Sequence, residues 1–422
     1  MAINDDKGLM VAVQPVNVGY VPRHAAPSSR IRSTHSGKLR RRVIGSACLI
    51  ALAGAGAGVA ALGEHDAVRS CAAQPKPDCG RSGSPAGTLP TGPVLQVRVE
   101  SAVSLGLRGP TAVAVAGGHL WITNSLADSV TELDWRTGAH AVVRSAASYR
   151  FSAPGAIAVG HDQLWVANVR GNSITELDST SGAVIRTIDG HSFLARPSAL
   201  ALSGTHLWVA NAASNSIAEI NADNGALVKL FRGRWYGFND PLALAVSHQR
   251  LWVANADGDS VTEMSATTGA WIATLSGPAF GLRDPVTVVA GPGRLWVGSE
   301  AGDSITQIDT ATGKLVSVLA GRRYGLAHPA ALALAGRQLW VANSLGNSVA
   351  EIDAATGRPT RFLAGSRYAF DRPAGIAVYE GTIWITNLGG ASATELLPTV
   401  TARPGAGESA SPPSQPAPVA RR

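Results

Sequence analysis

The sequence predicts an all-β fold, a seven-bladed β-propeller whose last blade is closed by an N-terminal strand and which follows one transmembrane helix. Three observations predict the propeller. Trp121, Trp165, Trp208, Trp252, Trp296, Trp340 and Trp384 recur at intervals of 43 or 44 residues, and self-similarity at such a period marks an array of like units rather than one conventional core. Each unit divides into four short apolar or β-branched runs broken by Gly, Pro, Asn or Asp, as in 331–335, 338–342, 348–353 and 359–363, which is the pattern of one four-stranded blade. The seventh unit shows only three strands, near 374–378, 382–386 and 393–397, while a lone strand over 94–100 precedes the first unit. Placing that strand in the last blade completes it and removes a free sheet edge.

Taken in order, the chain begins with a polar, Pro-containing arm, residues 1–42, expected to be disordered and cytoplasmic. It carries a net +6 of the chain's formal +7, and the tail after residue 400 carries +2, so the propeller stretch is close to neutral at −1. A nonspecific nucleic-acid binder needs a net basic face, so no nucleic acid is expected as a partner. Arg40, Arg41 and Arg42 then precede residues 43–63, a run of 21 without a charge. That length is enough to cross a bilayer. The basic flank places its near end in the cytoplasm and everything after Glu64 outside. A signal peptide cleaved near the Ala- and Gly-rich end of the run, giving a secreted protein, is the alternative.

Residues 64–93 read as a Pro/Gly-rich linker that contains Cys71 and Cys79. Two cysteines eight apart on the outer side of a membrane are expected to form a small disulfide loop. The propeller, residues 94–400, has no cysteine, and residues 401–422 form a low-complexity tail expected to be disordered.

Within the repeats, the Leu-Trp-Val-Ala-Asn strands, the Asn/Asp-Ser pairs opening the third strand of the first six units (Asp128-Ser129 to Asn347-Ser348) and the Asp-x-x-Thr-Gly turns at 309–313 and 353–357 resemble the YVTN-type and NHL-like β-propeller repeats of bacterial surface and secreted proteins. The resemblance covers about 94–400. More distantly the pattern is similar to that of streptogramin lyases, and that likeness implies an acidic residue three positions after the aromatic in many repeats. Here that position holds Asn124, Asn168, Asn211, Asn255, Ser299, Asn343 and Asn387.

A repeat protein supplies its own control, because a group present in every blade serves the architecture whereas a catalytic group is needed once. By that test the seven Trp are packing residues between blades, the Asn that follow bond the adjacent turn, and Glu132, Glu176, Glu219, Glu263, Glu351 and Glu395, with Gln307 in register, form a structural ring. Binding is expected instead on the face that carries the crossings between blades. Arg150, Arg196, Arg234, Tyr236, Arg283, Arg322, Arg323, Tyr324, Arg367 and Tyr368 alternate there as a rim suited to anions or glycans. Asp257, Asp259, Glu300 and Asp303 form an acidic set on the same face where a hard cation such as Ca²⁺ is the candidate ligand. No other cofactor is expected.

The function read from these features is a monomeric, membrane-anchored recognition platform outside the cell, for an envelope polymer, small ligand or protein. The alternative is a lyase or hydrolase, streptogramin lyase-like or lactonase-like, with its site at the channel mouth. An enzyme should gather unlike polar residues at one spot of that mouth around a perturbed carboxylate or His.

Overall fold

The computed structural model describes residues 95–100, 105–160 and 162–398. The expected arm, membrane span, linker with Cys71 and Cys79, and tail lie outside them. Among the described residues no helix is long and apolar enough to cross a membrane.

Seven four-stranded antiparallel sheets are present. Blade 4 is representative, with strands at Pro241–Ser247, Arg250–Asn255, Ser260–Ser265 and Trp271–Ser276. The first strands of successive blades pack side by side around the whole ring, including that of blade 7 against that of blade 1. They therefore line the central channel, and the fourth strands form the perimeter. Each first strand opens on a proline, from Pro110 in blade 1 to Pro373 in blade 7, a position where the missing N–H is tolerated.

Closure follows the expectation. Leu95–Glu100 pairs antiparallel with Ser392–Pro398, in a register that puts Leu95 opposite Pro398 and Arg98 opposite Glu395. The strand is the outermost of blade 7, whose other strands are Pro373–Tyr379 and Thr382–Asn387.

Each repeating Trp is buried and packs on the blade that follows it. Trp208 of blade 3 lies among Leu244, Leu251, Val253 and Met264 of blade 4, and Trp384 of blade 7 joins Val113, Leu120 and Trp121 of blade 1. A large ring fills the wedge that opens between radial sheets, at a burial worth about 2–3 kcal/mol per side chain.

The recurrent Glu stands opposite the Trp on the third strand and in blades 1 to 4 meets a basic side chain of a neighbouring strand. Glu176 meets Arg186 at 2.7 Å, Glu219 meets His206 at 2.7 Å, and Glu132 and Glu263 meet Arg144 and Arg250. In the turns between third and fourth strands, Asp309 and Asp353 each accept from two backbone N–H groups and from the hydroxyl of Thr312 or Thr356. These bonds hold both carboxyls below the usual range.

Candidate functional site

The chain enters each first strand at the top of the channel, so the residue before each opening proline sits at the mouth. In order round the ring these are Gly109, Ala153, Arg196, Asp240, Asp284, His328 and Arg372. All seven adopt left-handed backbone, with φ between 48° and 62°. Six are not glycine, and such conformations persist only where surrounding bonds over-determine them.

Two hydrogen bonds supply that restraint. The mouth residue's C=O accepts the N–H that follows the conserved-register Asn or Ser of its own second strand, as when Ala256 donates to Asp240 (3.0 Å) and Glu300 to Asp284 (2.9 Å). Its N–H donates to a carboxyl or amide oxygen in the preceding blade: Ala153 to Asp128, Arg196 to Asn172, Asp240 to Asn215, Asp284 to Asp259, His328 to Asp303 and Arg372 to Asn347, at 2.6–2.8 Å. The seventh junction has Ala391 where the others have Asn or Asp, and the residue it faces is Gly109, for which left-handed backbone carries no penalty. The latch is present wherever the conformation is costly.

The Asn of the second strand bonds its own turn, as expected, and reaches beyond it. Asn168 Nδ2 reaches Ser173 and Thr175 of the third strand, while its Oδ1 accepts the Ser152 N–H of the incoming crossing (3.3 Å). It thus ties the turn and the crossing together just outside the mouth.

This rigid ring bears unlike side chains on one side. Gly109 and Ala153 leave blades 1 and 2 without a functional group. From blade 3 onward, Arg196 Nη2 bonds Asp240 Oδ1 at 2.7 Å, Asp284 is buried, and His328 Nδ1 lies 3.4 Å from Glu300 Oε1. Burial pushes the Asp240 carboxyl above its ordinary value; Arg196 pulls it back, and Asp257 and Asp284 push it further up. The sector therefore brings Asp240 within reach of the Asp257 and Asp284 charges and sets Glu300 against the His328 imidazole.

The other residues singled out from sequence are dispersed. Tyr324 and Tyr368 are buried, and Tyr236 stacks on Phe238 at 5.1 Å. The crossings they belong to form 3₁₀ turns, among them Arg234–Tyr236, Arg322–Tyr324 and Ser366–Tyr368, which lie against the perimeter strand of the next blade. Arg323 and Arg367 stack over their neighbouring Tyr rings, at 4.7 and 4.4 Å. Arg150 pairs with Asp189 at 2.7 Å, and Arg234, Arg283 and Arg322 are exposed. Of the ten rim positions only Arg196 is the residue before an opening proline.

Of the acidic set, Asp259 and Asp303 spend an oxygen each as latches, and Glu300 faces His328. Among the described residues no group of three or more His, Cys, Asp or Glu is arranged to hold a metal ion. Asp240, Asp284 and His328 were not among the residues singled out for binding. The signal was available, because the position before each repeat's proline reads Gly, Ala, Arg, Asp, Asp, His and Arg while the proline itself never changes.

No family model matches the chain, and no curated protein matches it in sequence. Its fold is similar to that of a catalytically inactive virginiamycin B lyase from Staphylococcus aureus solved with quinupristin, at 17% identity over 72% of this chain and 99% of that one, with a TM-score of 0.62. A streptogramin B lyase structure is similar at 18% identity over 72% and 97%, with a TM-score of 0.60. The chain is a seven-bladed β-propeller with the fold that streptogramin B lyases share.

Proposed function

We propose that the protein is a recognition platform held outside the cell by residues 43–63, and that the mouth of its propeller grips a cationic group on a small ligand or envelope component. One observation carries this reading: the mouth breaks the repetition of the ring, with Arg196, Asp240, Asp284, His328 and Arg372 in blades 3 to 7 against Gly109 and Ala153 in blades 1 and 2. The left-handed backbone is held by paired bonds before any ligand arrives, so binding orders little new structure and spends little entropy. Arg196 occupies one oxygen of Asp240, and the neighbouring carboxyls supply the negative field.

The test is binding of 1,5-diaminopentane and of isolated cell-wall polymer to the full chain and to Asp240→Asn with Asp284→Asn. Losing charged acceptors should raise Kd about tenfold or more for at least one of the two, since a hydrogen bond to a charged group contributes about 1.5–3 kcal/mol. Binding that survives the double substitution unchanged removes the mouth from the recognition reading.

A second reading is acid–base catalysis. It is favoured by the Glu300–His328 pair, set on the same mouth as Asp240, whose carboxyl is raised, because a carboxyl with a raised pKa can serve as a proton donor and an imidazole as its acceptor. The lyases of similar fold make quinupristin the first substrate to try. Its disappearance, followed by chromatography and abolished by His328→Ala, establishes this reading. A complete absence of turnover leaves recognition alone.

A further inference from the structure

The opposite end of the channel carries a different feature. Beneath the first strands of blades 2, 3 and 4 lies a partly open cavity of about 190 Å³, walled by Ala158, Leu200 and Ala201 and edged by Ser203, Ser247 and His248. Ala158, Leu200 and Ala201 are buried, so this wall is apolar. The edge is polar: Ser247 Oγ and His248 Nδ1 share one hydrogen bond of 2.8 Å. Whichever atom carries that proton, the pair keeps further hydrogen-bonding capacity. With the serine donating, its oxygen still has a lone pair to offer; with the imidazole donating, the serine O–H is free to donate.

The turn that presents this edge is strained. His248 and Gln249 are consecutive left-handed residues, at φ 49° and 63°, in a tight hairpin that ordinarily uses Asn-Gly or Gly-Gly. The corresponding turn of blade 1 is Gly117-Gly118, at 59° and 81°. The left-handed turn itself recurs, as at Glu380-Gly381, and belongs to the hairpin; what is particular to blade 4 is that His248 and Gln249 bring side chains to the cavity edge where blade 1 has two glycines.

We infer that this cavity is a second ligand site, independent of the mouth, for a single aromatic ring bearing one hydroxyl. An apolar cavity of about 150 Å³ accepts benzene, so about 190 Å³ takes one ring and a small substituent. The hydroxyl meets Ser247 and His248, which can answer it as donor or acceptor.

Phenol and benzene are the probes, titrated against the full chain with saturation-transfer NMR as the readout. Phenol should bind saturably with Kd about 1 mM, a normal affinity for so small a ligand, and about 5- to 10-fold more tightly than benzene, the worth of one hydrogen bond. Ala201→Phe, which fills the cavity, should abolish both. His248→Gly keeps the test decisive even if that variant folds poorly, since glycine relaxes the turn and the melting temperature should hold or rise while the preference for phenol disappears. Absence of saturable phenol binding to the native protein overturns the inference, as does a preference for phenol that His248→Gly leaves intact.

Discussion

A left-handed residue and the side chain that restrains it form a unit of meaning at the smallest scale here. Asn172 accepts the Arg196 N–H at 2.7 Å, and both residues are themselves left-handed, at φ 48° and 54°. Asn tolerates that conformation better than most residues, and Arg does not favour it, so one pays for neither alone but for the pair. Asn172→Ala leaves a partly buried N–H without its acceptor and places alanine in left-handed backbone, and should cost about 1–3 kcal/mol in urea unfolding. The reverse change, Ala391→Asn, replaces a strained alanine at φ 47° and should stabilise by about 0.5–1 kcal/mol. The pattern Asn/Asp-Ser was visible in the sequence, but its partner lies 24 or 25 residues downstream in the next blade, and no local rule relates the two. The same distance hid the mouth, whose Asp240 and His328 draw their significance from neighbours in adjacent blades.

At the scale of the strand, closure depends on residues 95–100 and on what their side chains meet. Arg98 Nη1 lies 3.0 Å from Glu395 and donates to the Thr137 carbonyl at 2.6 Å, so one guanidinium ties the perimeter of blade 7 to a turn of blade 1. Glu395 is fully buried, and that burial, opposed by Arg98 and reinforced by Glu100, lifts its carboxyl to about 7. The sign follows from linkage. Between about 4.5 and 7 the folded protein keeps a proton that the unfolded chain has released, so this group's contribution is greatest below about 4.5 and is lost as pH rises to about 7. Glu395→Gln should therefore raise stability relative to the native protein by about 2 kcal/mol at pH 8 and by much less at pH 5. Equal effects at both pH values would show that the carboxyl is not protonated in the closed ring. The strand itself was legible from the missing fourth run of the last repeat, because counting strands needs no knowledge of contacts. Its Arg98–Glu395 pair was not, since Glu395 looked like one more member of a repeated register.

Across the whole molecule, cohesion is passed from blade to blade by seven buried indoles, each set into the next sheet. Trp208→Ala empties the wedge between blades 3 and 4 and should cost about 3–5 kcal/mol. Hydrogen exchange should rise first in those two blades, because each sheet touches only its neighbours; uniform acceleration round the ring would contradict that. Periodicity made the number of blades, their strand order and the packing role of the Trp legible, since all three repeat. Chemistry resides in what does not repeat: the Tyr that alternate with Arg in the crossings pack against the blades, whereas the residue before each proline changes from blade to blade. The pairing of Leu95 with Pro398 has one more consequence. The described chain comes back to its own origin, so a short covalent bridge at that spot would turn the circle into an unbroken hoop, and opening it at any other spoke would yield a permuted molecule with the same spokes, the same hub and a new seam.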